Sequence, residues 1–409
     1  MLASHLLKRL IGIGTLKVVD AGGKVHVFGG RDGPSCTIRF HDSALHTKLF
    51  FWPELYFGEA YMDGTLTIED GSIYDFLDLC GINMPNLTRH PMTRVARAVS
   101  TMLRHLHQNN PVGRAQRNVA HHYDLSGELY DLFLDEDRQY SCAYFRSDND
   151  TLESAQDNKK RHIAAKLLLR PGQKILDIGS GWGGMALYLA RVTPGARVTG
   201  VTLSAEQHVL STARARDQGL DQRVQFHIRD YRDQDGTFDR IVSVGMFEHV
   251  GVGHYREFFT KLKDLLADDG VALLHSIGFM APPMPTNPWI RKYIFPGGYT
   301  PSLSEVTRAI EKAGLWITDM EVLRLHYADT LREWRRRLAD NRDKVQNLYD
   351  DRFYRMWEFY LASAEMSFRH MGQMVFQIQL SKRQDAAPRV RDYMTDWERM
   401  APDTPAAAE

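Results

Sequence analysis

Cysteine is scarce in this 409-residue chain: Cys36, Cys80 and Cys142 lie far apart and form no CxxC pair. That excludes a disulfide framework or a structural zinc knot and fits a reducing compartment, the cytoplasm. No apolar run approaches the ~20 residues needed to cross a bilayer, so no membrane span is expected. Neither sign of charge is in excess, with 51 Lys+Arg against 51 Asp+Glu. There is then no overall field for a polyanion, and nucleic acid is not an expected partner. The start lacks the order of a signal peptide: Lys8 and Arg9 follow the apolar residues and no small-residue cleavage site appears, which predicts an amphipathic first helix. What is present, 43% hydrophobic and 25% charged residues, is the balance of a globular protein. At roughly 150 residues per domain, two or three domains are expected.

From Leu16 to Leu79, short alternating runs such as Lys24 to Phe28 and Cys36 to Phe40 are broken by Gly22-Gly23, Gly29-Gly30 and Asp63-Gly64. This predicts hairpins beside helices, a small α+β domain over residues 1–83. Within it, Leu49-Phe-Phe-Trp-Pro-Glu-Leu-Tyr-Phe57 reads as core, with a lipid-contacting face as the alternative. Residues 84–120 contain Arg89, Arg94, Arg97, Arg104, Arg114 and Arg117 without a single Asp or Glu, beside an apolar stripe of near-helical period. The expectation is a basic helical linker, either solvated or lying on an anionic bilayer, where each Lys or Arg contributes about 1 kcal/mol.

Beyond Leu152 strands and helices alternate: Lys174 to Ile178, a helix from Gly183; Arg197 to Thr202, a helix from Ala205; Val224 to Ile228; Arg240 to Val244, a helix from His254; Val271 to Ile277. The pattern predicts a doubly wound α/β domain. Leu325 to Leu380 reads as long closing helices. The domain is placed at 121–395, with a flexible tail over 396–409.

Asp177-Ile-Gly179-Ser-Gly181-Trp-Gly183 joins a buried strand to a helix through a glycine turn, the place where an open α/β sheet receives a nucleotide-like ligand. A nicotinamide cofactor requires an acid at the end of the second strand; that place holds Thr202-Leu203-Ser204. Asp177 suits an ammonium and would repel a pyrophosphate. S-adenosylmethionine, with an ammonium, a sulfonium and no phosphate, fits best. The predicted architecture is therefore the class I S-adenosylmethionine-dependent methyltransferase fold, Rossmann-like with a mostly parallel seven-stranded sheet. Gln207 is the expected ribose partner and Tyr231, in Arg229-Asp-Tyr-Arg232, the expected flank of the adenine.

Five further strings extend beyond a generic methyltransferase: His121-His-Tyr-Asp-Leu-Ser126, Gln139-Tyr-Ser-Cys-Ala-Tyr-Phe145, Met246-Phe-Glu-His-Val-Gly251, Leu274-His-Ser-Ile-Gly278 and Tyr293-Ile-Phe-Pro-Gly-Gly298. Together they resemble the cyclopropane-fatty-acyl-phospholipid synthase family, related to the mycolic acid cyclopropane synthases. The resemblance implies methyl transfer to a cis double bond of a phospholipid acyl chain, then ring closure with loss of a proton to bound bicarbonate. It further implies Glu248, His275 and Tyr327 as holders of that bicarbonate, with the backbone of Cys142 and Ile277, and extends the cofactor set to Tyr140, Ser141, Asp177, Gly179, Gly181, Gly183, Thr202, Leu203, Gln207, Tyr231 and Arg232.

A carbocation must be kept from water, so aromatics including Tyr140, Tyr144, Phe145, Phe247, Tyr293, Phe295 and Tyr299 are candidate lining of an acyl pocket, with the proline-broken stretch to Tyr299 as its cover. Some members carry a cysteine where this chain has Ala364, which excludes a thiolate nucleophile there. Glu248, not shortened to aspartate, favours ring closure over the methylene-forming relatives. The implied partners are unsaturated phospholipid, a peripheral contact at the inner face of the cytoplasmic membrane, and a homodimer. The alternatives are methylation without ring closure, a small-molecule methyltransferase and a non-catalytic lipid-binding protein; loss of Asp177, Glu248 or His275 would mark the last, and all three are present.

Overall fold

The computed structural model describes residues 3–88 and 127–400; most of the basic segment, the string His121-His-Tyr-Asp-Leu-Ser126 and the tail from Ala401 lie outside the described residues. In chain order the elements are α1 (Ala3–Leu10), β1 (Ile13–Val19), β2 (Val25–Gly29), β3 (Arg31–Phe40), α2 (Leu45–Phe51), α3 (Pro53–Met62), β4 (Leu66–Asp70) and α4 (Ile73–Thr88). Then follow α5 (Gly127–Asp131), α6 (Leu152–Lys166), β5 (Lys174–Ile178), α7 (Gly184–Val192), β6 (Arg197–Thr202), α8 (Ala205–Asp217), β7 (Val224–Ile228), β8 (Phe238–Val244), α9 (Tyr255–Leu265) and β9 (Leu266–Phe279). The chain closes with α10 (Pro288–Tyr293), α11 (Leu303–Ala313), β10 (Trp316–Val322), α12 (His326–Asp340), α13 (Arg342–Leu348), α14 (Asp351–His370), β11 (Gln373–Ser381) and α15 (Asp392–Met400). They form two compact units.

The first unit joins 3–88 to 284–296 and 328–373. Its four-stranded sheet runs β2-β1-β3-β4, with β1 parallel to β3 and the other neighbours antiparallel. The β1–β2 turn forms because the Asp20 carboxylate accepts from the amides of Gly22 and Lys24, while Gly23 takes a left-handed φ of 83°. Asn83 of α4 ties the helix to the sheet, accepting from the amides of Gly12 and Ile13. In the aromatic run, Leu49 is buried and Phe57 stacks on Phe76 at 4.5 Å, as core packing requires. Phe51 and Trp52 depart from that expectation: α2 turns its buried face inward through Leu45 and Leu49, which leaves these two rings 64% and 66% exposed. Trp289, in the expected cover, is buried, and its indole N–H donates to Met62 Sδ at 3.2 Å.

The second unit contains the seven-stranded sheet β10-β11-β9-β8-β5-β6-β7. The run from β9 to β7 is parallel and β10 pairs antiparallel with β11; this is the mostly parallel Rossmann-like sheet expected. Successive residues of β5 feed opposite layers, Ile175 one core and Leu176 and Ile178 the other. One expectation fails at the end of the chain: the predicted helices to Leu380 stop at His370, and Gln373–Ser381 is a strand. Gly372, at φ 77°, reverses the chain, and Met374, Phe376, Ile378 and Leu380 then alternate into a core that no helix could reach with that spacing. The strand order reverses beside β5, which opens a crevice at its carboxyl end.

Candidate active site

Ten of the eleven expected cofactor residues line one cleft at that crevice: Tyr140, Ser141, Asp177, Gly179, Gly181, Thr202, Leu203, Gln207, Tyr231 and Arg232. The exception, Gly183, caps α7 instead. A Cβ on Gly183 would lie 2.8 Å from Phe226, so its small size is a packing requirement. At Gly181 a Cβ would meet nothing within 4 Å, leaving the backbone open to a ligand.

Asp177 shares the face of Ile175 and is 1% exposed. Burial pushes its carboxyl up to about 7, against the pull of Lys159, and Oδ2 has no hydrogen-bond partner among the described residues. A buried carboxylate oxygen left unsatisfied at a cleft wall favours a cationic ligand group. The Thr202 hydroxyl donates to Gln207 Oε1 at 2.8 Å, which leaves the Gln207 NH2 as its donor end. Arg232 is committed to Asp230 through bonds of 2.9 and 2.7 Å.

The expected acid–base residues do not line this cleft, although Met246 and His249, on either side of Glu248, do. Glu248 sits on a tight 3-10 turn, Phe247–His249, buttressed by the Tyr299 amide, which donates to the Glu248 carbonyl at 3.0 Å. Its Oε1 accepts from the Ile277 amide at 2.7 Å, so that amide is occupied. Oε2 has no partner among the described residues, and burial raises the carboxyl to about 7. His275, two residues before Ile277 on the same face of β9, is buried, with Nδ1 3.1 Å from Gln377 Nε2. Burial, then the cations Lys159 and Lys166, hold its pKa well below the usual range, so the ring is neutral.

The segment 139–145 gives Gln139, Tyr140 and Ser141 to the cleft wall and is held by α6 and His326. Gln156 donates to the carbonyls of Gln139 and Ser141, Tyr144 stacks between His162 and His326 at 4.1 and 4.7 Å, and the Phe145 amide donates to His326 Nδ1 at 3.1 Å. Cys142 is buried within that segment, and Tyr327 follows His326 in the first turn of α12, also buried. Of the candidate acyl-pocket aromatics, Phe247 is a core ring stacked on Tyr255 and Tyr293 donates to Glu59.

Sequence reasoning missed the underside of the site. Four basic residues of α6, Lys159, Lys160, His162 and Lys166, are buried. Lys159 donates to Gln139 and Ser141. Lys160 and Arg214 grip Asp137, whose carboxyl they hold at about 2 against the opposing effect of burial. The available signal was the spacing: 159, 162, 163 and 166 share one helical face.

A family model described as mycolic acid cyclopropane synthetase matches residues 111–378. The chain belongs to this family. A second model, for a domain of unknown function, matches residues 3–86. Among relatives, a probable fatty acid methyltransferase of Pseudomonas putida is 42% identical over 259 residues, 61% of this chain and 65% of that protein. The cyclopropane-fatty-acyl-phospholipid synthase of Escherichia coli K12 is 38% identical over 325 residues, 80% of this chain and 82% of that one. Among solved structures of the family, mycolic acid cyclopropane synthase CmaA1 complexed with SAH and CTAB matches with a TM-score of 0.62 and 33% identity, covering 66% of this chain and 99% of that one.

Proposed function

We propose that the protein uses S-adenosylmethionine to convert the cis double bond of an unsaturated phospholipid acyl chain into a cyclopropane. The observation that carries the reading is Glu248: a buried carboxyl raised to about 7, with one oxygen on the amide of Ile277, two residues along β9 from neutral His275, and the other without a partner among the described residues. S-adenosylmethionine supplies an electrophilic methyl on a sulfonium. Asp177 pairs with the ammonium end of the donor, Gln207 with its ribose, and the open backbone at Gly181 lets it approach.

An alkene is a weak nucleophile, so the protein's contribution is alignment and exclusion of water. After the new carbon–carbon bond forms, one proton must leave the transferred carbon as the ring closes. A bicarbonate ion would be held by Glu248, His275 and Tyr327 and would supply the base for that proton. Glu248, when ionised, accepts the anion's own hydrogen, while His275 and Tyr327 donate to its oxygens.

The contact with the bilayer is assigned to the exposed rings of Phe51 and Trp52 together with Lys8 and Arg9 of the neighbouring α1. Methylation without ring closure is the second reading, supported by the likeness to a probable fatty acid methyltransferase. Incubation with methyl-labelled S-adenosylmethionine and unsaturated phospholipid vesicles separates them. High-field cyclopropane protons in the labelled lipid are expected; a labelled methyl or methylene branch selects the second reading, and unlabelled lipid refutes both.

A further inference from the structure

The turn of β11 toward α6 places a polar relay behind His275. Lys166, with a fully buried side chain, donates from Nζ to Gln377 Oε1 at 2.7 Å, and Gln377, also fully buried, lies with Nε2 3.1 Å from His275 Nδ1. An ammonium can only donate, so the amide atom it meets must be the oxygen. The other end of the amide is then NH2, which also only donates, so the histidine nitrogen facing it must accept. Lys166 is itself anchored. Its ammonium meets the Glu321 carboxylate, which also lies 2.7 Å from His162 Nε2. Its backbone carbonyl accepts from Gln379, the next residue on the same face of β11.

We propose that Gln377 is a positioning residue that fixes His275 as the neutral tautomer with its proton on Nε2, and that Lys166 sets the direction of the amide that does so. The inference rests on the reading of His275 as part of the reacting centre; the direction of the relay follows from the donors alone. With Nδ1 occupied as an acceptor, Nε2–H is the only donor the ring can offer, which is what an anion held for proton transfer requires. Apolar side chains would fill the space between α6 and β11 at lower desolvation cost than a lysine and a glutamine, so the relay is costly for packing alone.

The test uses the full chain with ¹⁵N-labelled histidine, His275 being assigned by its loss in His275→Phe. An unprotonated Nδ1 and a protonated Nε2 are expected across neutral pH. In Gln377→Glu a carboxylate faces Nδ1, so the proton moves to Nδ1. Product formation should fall on the order of 10²-fold, the scale of a misoriented acid–base group, while the Kd for S-adenosylmethionine changes less than about twofold. Gln377→Met, which keeps the volume and removes the amide, should give a mixture of tautomers. A protonated Nδ1 in the unmodified protein overturns the inference, even if neither variant folds. So does Gln377→Glu with an unchanged tautomer and full turnover. Undiminished product from His275→Phe would instead remove His275 from the reaction, and the positioning role with it, whatever the tautomer.

Discussion

Glu248 and Asp177 are the two carboxyls in the site that burial raises to about 7 while each keeps an oxygen without a partner among the described residues. Between the ordinary carboxylate range and pH 7 the folded chain therefore binds more protons than the unfolded one. The contribution of these two groups to stability is greatest below that window and is lost as pH rises through 7. Glu248→Gln keeps the acceptor for the Ile277 amide and removes the ionisation. The variant should bind S-adenosylmethionine normally and form no ring product. It should also gain about 1–2 kcal/mol over the parent at pH 8 but not at pH 5, read as a difference of a few degrees in Tm. Parallel loss of cofactor affinity would place Glu248 in the cofactor cleft instead. The glycine turn and Asp177 were legible in sequence because one strand, one turn and one helix carry them all. The Glu248–Ile277 bond was not, since it joins residues 29 apart through the register of β9.

At the level of elements, β5 to β7 and the helices between them fall where alternation and glycine turns placed them, because each is a local unit with an apolar pattern of its own. Helix α6 was the opposite case. Its Asn-Lys-Lys-Arg-His run reads as a solvated surface, yet of the acids that pair with it only Asp157 is local, while Asp137, Glu321 and Glu398 are remote in sequence. The same remoteness makes Asp137 a strong point. Asp137→Ala leaves Arg214 without this carboxylate and Lys160 with Asp157 alone, and urea unfolding should show a loss of about 3 kcal/mol. A loss below about 1 kcal/mol would mean that water replaces the acid. β11 carried a readable signal, apolar residues at every second position from Met374 to Leu380, hidden by the helical run that precedes it.

For the whole molecule, no helix among the described residues is long and apolar enough to cross a membrane. On the proposed reading, the contact with a lipid surface is made by exposed side chains. Phe51 and Trp52 are large rings on the outside of a unit whose other aromatics are mostly packed. Phe51→Ser with Trp52→Ser should reduce co-sedimentation with anionic vesicles at least threefold and slow product formation more on vesicles than on detergent-dispersed lipid. Neutralising Arg94, Arg97 and Arg104 tests the basic segment separately, its effect being greatest at low salt. If the ring substitutions leave sedimentation unaltered and the arginine substitutions abolish it, the contact lies in the basic segment.

The turn at Met371-Gly372 governs more than a change of direction. Side chains on a strand point to alternate sides, so one added residue there would drive Gln377 and Gln379 into the oily layer and present Phe376 and Ile378 to the lysine of α6. The register of the final strand is thus under tighter constraint than many of the side chains on it. Insertions are tolerable in the exposed stretch after Ser381, whereas before Gln373 a single extra residue would be enough to dismantle the floor of the site.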